Sequence, residues 1–72
     1  MKIKVKGVIE DLREIVKEQQ YKELGGYVID VQSANLILTL HDSLNPKNKE
    51  RLLNLSLPEA QRVSIKLLGR DD

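Results

Sequence analysis

The chain contains no cysteine and a single histidine, His41, in 72 residues. Disulfides and thiolate metal sites are therefore excluded within it, and so is a metal site built from the imidazoles of one copy. Phe and Trp are missing as well, which leaves Tyr21 and Tyr27 as the aromatic residues. Proteins that hold single-stranded nucleic acid stack its bases on exposed aromatic rings, and two tyrosines make a poor platform. No apolar run approaches the roughly 20 residues that span a bilayer. The longest, Leu36 to Leu40, already contains Thr39. The opening MKIKVKGVI is basic, but Lys4 and Lys6 break what would have to be the apolar core of a secretory signal. No membrane contact is expected. With no cysteine to suggest an oxidising compartment, a cytoplasmic location is expected.

Several chemistries lack their residues. No serine stands in a G-x-S-x-G frame, and no glycine pattern matches a phosphate loop. Leu24-Gly25-Gly26 follows a helical pattern where a dinucleotide loop would follow a strand, so it reads as a helix stop. His41-Asp42 is the one His–acid neighbour pair, and adjacent helical residues diverge by about 100°, too far for a relay. Glu10, Asp11, Glu14 and Glu18 share a helix with Arg13 and Lys17. An exposed, mixed-charge face offers no pocket to raise one carboxyl pKa above another. The expectation is a non-enzyme with no catalytic residue, no cofactor and no metal.

A chain this short makes one domain, residues 1–72, with a thin core: it buries only roughly 60% of its unfolded surface. Small domains are commonly stapled by disulfides, a metal or a partner, and here association is the staple that remains. The net charge is +1, unevenly spread. Residues 1–6 carry three lysines and no acid, residues 7–45 three bases against seven acids, and residues 46–72 six bases against four acids. Basic ends around an acidic middle suit self-complementary association or a modest nucleic-acid face.

The hydrophobic pattern then orders the elements. KIKVK, residues 2–6, alternates Ile3 and Val5 with lysines, the mark of a half-buried edge strand. Residues 8–23 read as a helix: Val8, Ile9, Leu12, Ile15 and Val16 follow its period, Glu10 and Asp11 suit its first turn, and Glu14/Lys17 and Glu18/Lys22 are spaced to pair. YVIDV, 27–31, reads as a second strand, parallel to the first if a right-handed crossover joins them. NLILTL, 35–40, fits either a third strand or part of a helix 33–44 capped by Ser33. The connection before it lacks the glycine a tight hairpin needs, which favours the helix. Asn45-Pro46 opens a short helix, 46–54. Ser56-Leu57-Pro58-Glu59 is a capping box for a last helix, 57–68, with Gly69 as its stop. Alternation over residues 62–67 also suits a strand, but the helix accounts for the whole segment and both its ends. The fold class expected is α+β in the order β-α-β-α-α-α.

Two surfaces stand out. The last helix spreads its apolar residues over an arc wider than a surface helix requires, so Leu57, Val63, Ile65, Leu67 and Leu68 are interface candidates. Together with a two-stranded sheet that is marginal alone, this arc points to a homodimer. The function expected is a small protein-interaction or regulatory module. The alternative is a dimeric DNA-binding transcriptional regulator. Helices 33–44 and 46–54 have the outline of a helix-turn-helix, and Lys47, Asn48, Lys49 and Arg51 on the second are residue types that read base edges and phosphates.

Overall fold

The structure, a computed structural model, describes residues 3–68. Among the described residues the fold is mixed α+β, with four α-helices and a two-stranded antiparallel sheet. A single 3-10 turn, Val5–Gly7, leads into α1 (Ile9–Glu18); β1 (Lys22–Leu24) and β2 (Tyr27–Ile29) follow, then α2 (Val31–Ser43), α3 (Pro46–Leu53) and α4 (Leu57–Leu67). The three C-terminal helices lie within a residue or two of their expected bounds, and 35–40 is helical.

The strand expected over residues 2–6 is not formed as such. Lys2 lies outside the described residues. Lys4 makes one isolated antiparallel bridge with Ser56, flanked by Val5 N–H donating to Leu55 O (2.9 Å) and Leu57 N–H donating to Ile3 O (2.9 Å). The chain then coils into the 3-10 turn. Val5 belongs to two patterns at once: it alternates with Ile3, and it also starts a helical stripe with Val8, Leu12 and Ile15, all buried. The stripe prevails because it buries all four against one core.

The sheet is not a parallel pair but a hairpin, with Lys22 opposite Ile29, Glu23 opposite Val28 and Leu24 opposite Tyr27. Helix α1 ends early, at Glu18, because Gln19 turns left-handed (φ 59°) and its side-chain amide donates to Val16 O at 2.7 Å. That frees residues 22–24 to pair. Gly25 and Gly26 are therefore not a helix stop but the two central residues of the turn, with φ of +60° and +83°. Two-residue hairpins of the right twist need positive φ at both positions, which glycine adopts without steric cost. The early end of α1 also moves Lys22, whose ammonium reaches Glu14 (2.8 Å) and Asp11 (3.2 Å) rather than Glu18. These two carboxylates raise its pKa.

Helix α2 is the centre of the packing, between α1 and α4. Its buried Ala34, Ile37, Leu38 and Leu40 meet Leu12 and Ile15 of α1, Ile29 of β2, Leu52 of α3, and Leu57 and Ala60 of α4 in one core. The caps explain where the helices start. Asp30, not Ser33, caps α2: its carboxylate accepts from Ser33 N–H at 2.8 Å, one of the four donors a helix start leaves unpaired. Asn45 caps α3 ahead of Pro46, and Ser56 and Glu59 form the expected capping box on α4. Gly69 lies outside the described residues.

Two tests arise here. Ser64 is fully buried on α4, and its hydroxyl has no hydrogen-bond partner. Removing an unpaired buried hydroxyl relieves its desolvation cost, so Ser64→Ala is expected to raise stability by about 1 kcal/mol, or roughly 4–8 °C in Tm. A lower Tm by calorimetry would mean that the hydroxyl is satisfied in solution. Asp30 provides the second test. The Ser33 amide and hydroxyl hold its carboxyl below the ordinary carboxylate range, and His41 and Arg13 do the same for Asp42. A depressed folded pKa contributes stability that is present above the unfolded value and lost as pH falls through the folded one. Tm is therefore expected to drop between about pH 5 and pH 3. Asp30→Asn keeps the cap but cannot titrate, so its decline over this range should be shallower. An unchanged slope would exclude Asp30 as a source.

Candidate functional site

One concavity of the surface is lined mainly by aliphatic side chains, of which Leu40 and Leu52 belong to the core and Leu67 is exposed. Leu40 of α2, Leu44 just after it, Leu52 of α3, Leu55 of the following connection, and Val63 and Leu67 of α4 line a groove of about 180 Å³. Its walls are aliphatic, and Asn48 and Arg51 of α3 complete them. The helical period produces this arrangement. Asn48 and Leu52 of α3 and Leu55 just beyond its end recur at intervals of four and three, and with Arg51 beside them all four line the groove. On α4, Val63 and Leu67 are four apart, as are Leu40 and Leu44 near the end of α2. The two-residue connection Leu44-Asn45 brings α2 and α3 together at the groove.

This geometry regroups the candidate residues. Asn48 and Arg51, singled out as base readers, stand in the same groove as Val63 and Leu67, singled out as interface residues. Lys47 is exposed beside Arg51, and Lys49 is half-buried away from the groove. The five interface candidates do not form one patch. Leu57 is 1% exposed and belongs to the core, a correction that follows from its place in the first turn of α4, directly beneath the Ile3–Leu57 hydrogen bond. Ile65 (43% exposed) lies on the opposite flank of α4 from Leu67 (60% exposed), because two residues of helix turn the side chain by about 200°. Leu68, 42% exposed, caps the end of α4. The wide arc read from the sequence is thus a core stripe with an exposed edge on either side.

Charge follows the same division. Among the described residues, Lys47, Lys49, Arg51, Arg62 and Lys66 of α3 and α4 form no ion pair, whereas Arg13 pairs with Asp42 at 3.3 Å and Lys22 with two acids of α1. Glu59 serves the capping box, Asp42 faces α1, and the exposed Glu50 of α3 does not line the groove. Arg51 is the one charged residue that lines the groove.

Other parts of the surface offer less. His41 Nδ1 lies 2.9 Å from Asp42 Oδ1, so the neighbours do touch, contrary to the expectation from their divergence along the helix. Asp42 also accepts from Arg13, and the trio ties α1 to α2 at the surface without lining the groove. Tyr27 donates to Gln61, whose amide donates to Ser33 at 2.9 Å, linking the hairpin, α4 and α2. A wider depression of about 750 Å³ runs past Gln19, Gln20, Tyr21, Asp30, Val31 and Gln32, with mixed walls and no cluster of titratable groups. No group of three or more His, Asp or Glu among the described residues is placed to hold a metal ion. No described helix is long and apolar enough to cross a membrane. Comparison with family models, curated proteins and solved structures returned no match for this chain.

Proposed function

We propose that this chain is a non-enzymatic protein-interaction module that regulates or adapts a partner through the α2/α3/α4 groove. The observation that carries the reading is the groove itself: six aliphatic side chains line a concavity, Leu40 and Leu52 buried, Leu44, Leu55 and Val63 half-buried, and Leu67 exposed. A mainly apolar concavity suits the docking of an apolar side chain from a partner. The volume supports a protein rather than a metabolite, since small-molecule sites run to about 300–1,000 Å³. The reasons for expecting a homodimer are weaker once the chain is folded. The hairpin is backed by its own core through Ile29, Leu24 and Tyr27, and the apolar arc of α4 is divided. A monomer is expected by light scattering at tens of micromolar.

Photo-crosslinking tests the reading. A photoreactive residue at Leu67 in the full chain should give a discrete adduct in host cells, and one at Glu10, on the outer face of α1, should not. Equal adducts at both positions, or none at Leu67, would sink it. The basic residues of α3 favour a second reading, a DNA-binding regulator. That reading requires duplex DNA binding which weakens steeply with salt and disappears when Lys47, Lys49 and Arg51 are all changed to Glu. Arg51 and Asn48 facing an apolar groove favour the protein partner instead.

A further inference from the structure

We infer that the occupant of the groove is one face of an acidic amphipathic helix supplied by a different protein; this rests on the groove being a docking site, as proposed above. Three observations lead there. The groove is bounded by α2, α3 and α4 and takes one or two aliphatic side chains, the size of the anchors an amphipathic helix presents at i, i+4 and i+7. Its only charged wall residue is Arg51, which has no ion-pair partner among the described residues. Lys47, one helical turn from Arg51, and Lys66, beside Leu67 on α4, are exposed, add positive charge near the groove and form no ion pair among the described residues. An acidic flank on the incoming helix meets three cations and no free acid of the groove walls, and a carboxylate can take the Arg51 guanidinium in a bidentate pair.

The same charges argue against a second copy. A two-fold interface through this groove brings the same patch of two copies together, so that Arg51, Lys47 and Lys66 of one copy face the cations of the other, a like-charge arrangement. The acidic helix of this chain, α1, cannot be lent to a neighbour, because its apolar stripe of Leu12 and Ile15 is fully buried at home. The partner helix therefore belongs to another protein, and its acids confer selectivity over the many amphipathic helices that carry basic flanks.

Selection from a display library of randomised helical peptides against the folded full chain tests this. The enriched peptides are expected to carry aliphatic residues at i, i+4 and i+7 and an excess of Asp and Glu. A synthetic winner should bind at least tenfold more weakly to Arg51→Glu, and should lose binding to Leu67→Gln, which removes an apolar wall without changing charge. Both positions are exposed, so unchanged thermal unfolding of each variant confirms an intact fold. Winners that are neutral or basic, or indifferent to Arg51→Glu yet lost with Leu67→Gln, would overturn the acidic partner and leave the groove as a docking site. Absence of any winner sensitive to Leu67→Gln would overturn both. A winner displaced by duplex DNA, or by self-association of the chain, would assign the face to that occupant and overturn the inference.

Discussion

Leu57→Ala is expected to cost about 2–5 kcal/mol, and Leu67→Ala less than about 0.5 kcal/mol. The two leucines are ten residues apart on one helix, and the sequence offers no reason to treat them differently. In the fold, Leu57 is 1% exposed and Leu67 60% exposed. Truncating Leu57 removes apolar contacts and leaves a cavity in the core, where the surrounding elements relax only in part. A domain of this size rarely holds more than about 3–5 kcal/mol in total, so the variant should be largely unfolded at room temperature. Truncating Leu67 removes one wall of the groove, so its effect should fall on partner binding and not on Tm. Urea unfolding followed by circular dichroism separates the two. Similar costs would mean that the end of α4 packs in solution as firmly as its start, and the groove would not be open.

Gly25→Ala should lower stability by about 2–4 kcal/mol, well beyond the roughly 1–2 kcal/mol expected for Gly26→Ala. Both residues have positive φ, so both replacements strain the turn. They differ in their surroundings. A Cβ on Gly25 would lie 2.2 Å from Ile3 Cδ1 and 2.8 Å from Cγ1, whereas one on Gly26 would meet nothing within 4 Å. Ile3 must then leave its place against the turn, and with it the pairing of Ile3–Val5 with Leu55–Leu57 loosens. Gly26→Asn should recover most of its loss, because Asn tolerates the left-handed region. Equal costs at the two glycines would show that Ile3 does not pack on the hairpin turn in solution.

The helix caps explain why the C-terminal half was readable. Asn45-Pro46 and Ser56-Leu57-Pro58-Glu59 act locally: a side chain satisfies a backbone donor two or three residues on, whatever the rest of the chain does. The N-terminal half was less legible because its signals compete. Residues 19–24 continue a helical pattern well enough to extend α1. They become a left-handed stop and a strand only because residues 27–29 stand across a glycine turn and the paired strands cover the core with Ile29. Glycine's positive φ, the feature sought after the second strand, was present before it.

The candidate site follows the same division. Composition and local pattern determined the α+β class, the three C-terminal helices, the lack of the usual catalytic motifs, and a set of basic and apolar residues on α3 and α4, because each depends on neighbours within a turn or two. Only the tertiary structure decided that Leu57 belongs to the core, that Ile65 and Leu67 face apart, and that Asn48 and Arg51 share a groove with Val63 and Leu67. Which part of an apolar arc is buried depends on what packs against it. Here that is α2, which ends at Ser43, 14 residues before α4 begins at Leu57, and the segment around Ile3, more than fifty residues before it.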